Sequence, residues 1–88
     1  MRFKVGVKVP KDLDPRMWIA LDAIALAWHW NTQDDPNAPS EPTITSWADG
    51  THGPGSYHKK NGRAVDVRTK TLHPDRERPF ADEVRRRI

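Results

Sequence analysis

With 88 residues and no cysteine, the chain has room for one small domain, and neither a disulfide nor a thiolate metal site can staple it. Hydrophobic residues make up 35% and charged residues 31%, a polar balance that predicts a thin core and leaves His, Asp or Glu to hold any stabilising metal. The net charge of +3 attracts anionic polymers, nucleic acid and bacterial wall alike. No run approaches the roughly 20 apolar residues of a membrane span, and the first nine residues hold no apolar stretch of signal-peptide length, so the expected product is made in the cytoplasm as a soluble protein.

Residues 2–9 alternate Phe3, Val5, Val7 and Val9 with polar neighbours, which predicts an edge strand ended by Pro10. Asp14-Pro15 reads as a helix start, with Asp14 as N-cap and proline at the first helical position. Across 16–30, Met17, Trp18, Leu21, Ile24, Ala25 and Trp28 recur at three- and four-residue spacing, the pattern of the main helix. Its tryptophans, Trp18, Trp28 and Trp30, read as core and rim, and His29 as a structural or surface residue. Residues 31–42, with Pro36, Pro39 and Pro42, read as an irregular loop. Residues 43–47 are β-branched and aromatic enough for a strand, 63–68 alternate as a further strand, 71–78 read as a loop, and 79–88 start a helix with Phe80, Val84 and Ile88 on one face. The predicted class is α+β, a small antiparallel sheet packed on one main helix, in a single domain spanning 1–88. So thin a sheet predicts a domain completed beyond Ile88 or by a second chain.

The segment between the last two strands carries the chemistry. His58 follows the loop glycines Gly50, Gly53 and Gly55, and Asp66 lies in the next strand, with Gly62 between them. A reversal at Gly62 brings imidazole and carboxylate together, two of the three protein ligands a catalytic zinc needs. Ala64 is small and shares the face of Asp66, which leaves room for an ion. On spacing alone, an incidental His and Asp is the competing reading. The fuller pattern S-x-H-x-x-x-G-x-A-x-D, in Ser56, His58, Gly62, Ala64 and Asp66, resembles the zinc signature of the D-alanyl-D-alanine carboxypeptidases and related murein endopeptidases, whose fold is that of the hedgehog signalling domain. Many members have two residues between His and Gly where this chain has Lys59, Lys60 and Asn61. Thr45-Ser46, the Asp49-Gly50-x-His52 stretch and Arg68-Thr69 are similar to short phage-encoded members, and the resemblance spans residues 20–88.

The resemblance implies a zinc peptidase acting on peptidoglycan stem peptides, with Zn2+ as cofactor, His58 and Asp66 as ligands and Ser56 as polar support. His52 is a loop residue, an outer-shell partner or a substitute ligand. Arg68 is either a surface ion-pair residue or a group for a substrate carboxylate, and Trp47, bordering the glycine loop, is a candidate cleft wall. The family's general-base glutamate and third ligand, a histidine, stand on a later strand. Glu77, Glu83 and His73 do not match that context, so the catalytic residues stay unassigned, and a C-terminal segment or a second chain would have to complete the site. Action at the bacterial cell wall, in phage lysis or from a virion, follows from the same resemblance. The rival readings are a degenerate, non-catalytic peptidoglycan-binding module and a small basic nucleic-acid binder. For the latter no motif is present, and neither a nucleic-acid nor a membrane partner is expected.

Overall fold

The computed structural model describes residues 1–9, 13–47 and 64–88. In chain order these form β1 (Arg2–Phe3), α1 (Arg16–Thr32), β2 (Thr43–Ser46), β3 (Asp66–Val67) and α2 (Pro74–Arg87), an α+β arrangement with a sheet ordered β1-β2-β3.

The sheet is mixed, not antiparallel throughout. β1 and β2 run parallel, with Arg2 opposite Thr43 and Phe3 opposite Ile44. They are joined through α1, and a helical crossover of this kind returns the chain in the same direction. β2 and β3 are antiparallel, Ile44 facing Val67 and Ser46 facing Asp66. Two residues on β2 match one step on β3, which leaves Thr45 as the extra residue of a bulge. The first strand is far shorter than its alternating pattern predicts. Lys4 donates its N–H to the Ile44 carbonyl at 2.9 Å, and Val7 N–H then closes a turn on the Lys4 carbonyl at 3.1 Å. Gly6 enters the left-handed region at φ 93°, a conformation that glycine adopts without steric cost. The chain therefore leaves the sheet after Lys4, and Val5 is fully exposed.

α1 starts as expected. Pro15 already has helical φ −56° and ψ −26°, and the Asp14 carboxylate accepts the Arg16 N–H at 3.0 Å. Its inward face buries Met17, Ala23, Ile24, Ala27, Trp28 and Asn31. Ile24, Ala27 and Trp28 join Leu72 and Phe80 in the core, with Val65, Val67 and Val84 packed against them. Trp28 meets Phe80 edge to face at 5.6 Å, and its indole N–H donates to the Pro39 carbonyl at 2.9 Å. The buried Asn31 amide donates to the Ala27 carbonyl at 2.8 Å and to Glu83 of α2 at 3.3 Å, so a polar side chain in the helix–helix contact is satisfied. Of the tryptophans read as core and rim, only Trp28 packs in the core. Trp18 and Trp30 are 61% and 54% exposed.

α2 begins five residues earlier than predicted and replaces most of the expected 71–78 loop. The Pro74 ring occupies the first helical position, and His73 Nδ1 accepts the Asp75 N–H at 3.2 Å. Asp75 and Glu77 sit in the first turn and Arg85, Arg86 and Arg87 in the last, the distribution that a helix dipole favours. Pro79, which looks like a start signal in the sequence, lies inside the helix on its exposed side. Proline has no N–H to give the Asp75 carbonyl one turn back, and both residues are exposed.

Candidate metal centre

β3 holds the one expected zinc ligand among the described residues. Asp66 is exposed, while Val65 and Val67 on either side are half-buried and pack on the core, the alternation that a strand with one covered face produces. The Asp66 backbone carbonyl accepts the Thr45 hydroxyl at 3.3 Å, and the Arg68 N–H donates to the Thr43 carbonyl at 2.9 Å. These bonds tie both ends of the short strand to β2. His58, Ser56 and His52 lie outside the described residues.

Asp66 borders a groove of about 360 Å³ between β3 and α2. Ile24, Val67, Phe80, Ala81 and Val84 form its apolar wall, and Arg85 stands with Asp66 as the charged part of its lining. Arg85 is engaged with Asp82 at 3.1 Å. Arg68, two residues past Asp66, is half-buried. Trp47 is 1% exposed and stacks on Phe3 at 6.4 Å with ring planes 7° apart, so its large ring serves packing between the end of β2 and β1.

Glu77 and Glu83 both lie on α2. Glu83 is paired with Arg87 at 2.8 Å and accepts from Asn31, so it is a structural acid. A second, larger cleft of about 540 Å³ gathers Asp34, Asp35, His73, Asp75 and Arg76, a grouping that their scatter along the sequence conceals. Arg76 bridges to Asp34 at 3.0 Å, the His73 ring nitrogen caps α2, and the cleft's three carboxylates outnumber its one arginine. Among the described residues no cluster of three His, Asp or Glu side chains is arranged to hold a metal ion. Asp66 fits a zinc site in the chemistry of its donor and in its accessibility, and the imidazoles that would join it belong to the 48–63 segment.

None of the described helices is long and apolar enough to cross a membrane. No family model, no curated protein and no solved structure matches the chain.

Proposed function

We propose that this chain is a zinc peptidase of the murein-cleaving type, hydrolysing peptide bonds in bacterial peptidoglycan as a D,D-carboxypeptidase or endopeptidase. The observation that carries the reading is the spacing Ser56-x-His58 … Gly62-x-Ala64-x-Asp66, together with an Asp66 carboxylate exposed at the mouth of a groove of ligand-binding size. His58 and Asp66 would hold the ion, His52 would ligate or orient, and Ser56 would support a ligand. Bound zinc supplies a polarised carbonyl and a water of lowered pKa. The chain's own residues would do the rest. β3 would fix the carboxylate, Val84 and Arg85 of the groove's lining would flank a bound peptide, and Arg68 would meet a substrate carboxylate. Action at the cell wall belongs to the same proposal.

Zinc titration by calorimetry tests it, with His58→Ala and Asp66→Ala as variants. Each should weaken binding more than about tenfold; unchanged affinity in both sinks the assignment. A second reading, a peptidoglycan-binding module without activity, is favoured by the engagement of Glu83 with Arg87 and Asn31, which removes that glutamate as a general base. Purified muropeptides incubated with the zinc-loaded protein separate the two: turnover supports the peptidase, and binding without turnover the module.

A further inference from the structure

The solvent side of α1 is not the polar face that a surface helix presents. Opposite the buried set, at 3.6 residues per turn, Trp18, Asp22, Ala25 and His29 fall on one line, all exposed. Ile19, Leu26 and Trp30, 56%, 46% and 54% exposed, flank that line. A helix that is apolar on both sides is normally covered on both. We infer that this face of α1 binds the same face of a second copy of the chain in an antiparallel, two-fold arrangement.

The charges on the face choose a second copy over an unrelated partner. A two-fold interface needs a patch complementary to itself. Asp22 and His29 stand equally far on either side of the Ala25–Leu26 midpoint, so antiparallel packing sets Asp22 of one copy against His29 of the other, twice. Asp22 has no hydrogen-bond or ion-pair partner among the described residues. His29 Nε2 lies 3.0 Å from the Gln33 amide nitrogen; with that amide as donor, the ring proton sits on Nδ1 and is available to a carboxylate. At the midpoint the small Ala25 of one copy faces the larger Leu26 of the other, which lets the two helices approach closely. The two half-exposed tryptophans with Ile19 and Leu26 offer about 400 Å² of apolar surface per copy, and the polar flanks bring the total to about 1,000 Å², the lower end for a specific interface. The dimer is therefore weak, and the Asp–His pairs set its direction.

Sedimentation velocity on the full chain, from micromolar to millimolar concentration, tests this. The expected result is a monomer that converts to dimer as concentration rises, and Leu26→Arg, at an exposed site, should remain monomeric with an unchanged circular dichroism spectrum. Asp22→Lys and His29→Asp should each weaken dimerisation about fivefold or more, since each is counted twice by symmetry, and the double variant should recover it. A wild-type monomer at every concentration overturns the proposal. So does a dimer indifferent to Leu26→Arg, or a double variant as weak as the singles.

Discussion

Replacing Asp66 by Asn separates the proposed metal function from the fold. The carboxylate is exposed and its neighbours Val65 and Val67 carry the packing, and asparagine keeps the side chain's shape. Without metal, the variant keeps the strand's apolar contacts, and the metal-free melts of the two proteins set the baseline for each. With zinc the two should part. A ligand that binds only the folded state stabilises it by about 2.7 kcal/mol at a hundred times its Kd. In a domain of this length each kcal/mol moves the melting temperature by about 4–8 °C, so zinc should raise the wild-type Tm by about 11–22 °C and the Asp66→Asn Tm by far less. Thermal melts followed by circular dichroism, with and without zinc, provide the measurement. An equal zinc shift in both proteins would refute Asp66 as a ligand, and a metal-free Asp66→Asn protein that melts several degrees lower would show that the carboxylate serves the fold instead.

Trp28→Ala empties the centre of the α1–α2 contact and should cost about 3–5 kcal/mol, while Trp28→Phe, which leaves the Pro39 carbonyl without its indole donor, should cost about 1–3 kcal/mol; urea unfolding reads both. Pro79→Ala restores a helix N–H at an exposed position of α2 and should raise stability by about 1–3 kcal/mol, so a lower urea midpoint would count against the helical placement of Pro79. The N-terminal ammonium, 2.8 Å from Glu41, holds that carboxyl below its ordinary value, first by hydrogen bonding and then by its charge. A carboxyl depressed in the folded state contributes stability above its unfolded pKa and loses it as pH falls through the folded one. Glu41→Gln should therefore flatten the acid side of the stability–pH profile, and an unchanged acid slope would show that the pair contributes nothing in solution.

Elements specified by near neighbours in sequence were legible, and those set by distant partners were not. The spacing of Met17, Ile24 and Trp28 gave α1, and Asp14-Pro15 gave its start, because a helix face and a cap are local. The same spacing also set Trp18 among the core-and-rim tryptophans, since periodicity finds an apolar stripe without saying whether anything covers it. Phe3, Val5, Val7 and Val9 promised a short edge strand running to Val9, but one Gly6 turn outweighs alternation when the strand's partner is a four-residue β2. The direction of β1 against β2 depends on where α1 returns the chain, which no residue of β1 encodes. Pro79 misplaced the start of α2 because Pro74, with His73 as its cap, supplies the same signal five residues earlier. For the site, the outward position of Asp66 followed from the Val65–Val67 alternation, whereas the groove beside it needs Phe80 and Val84 from a helix that sequence order does not place against β3.

The short β3 ties function to stability in the proposed reading. Two residues of strand, anchored by the Arg68 amide and the Thr45 hydroxyl, carry the carboxylate that would hold the ion, while Val65 and Val67 on the opposite side of the same residues cover Ile24, Trp28 and Phe80. A change in the packing of Val65 and Val67 would therefore act on the strand that carries the carboxylate. Val67→Ala, which removes half-buried packing without touching a proposed ligand, should weaken zinc binding as well as the fold. Asp66→Asn should weaken zinc binding alone. Finding zinc affinity intact in a Val67→Ala protein destabilised by about 1 kcal/mol or more would mean that the metal is held by the 48–63 segment without help from the sheet.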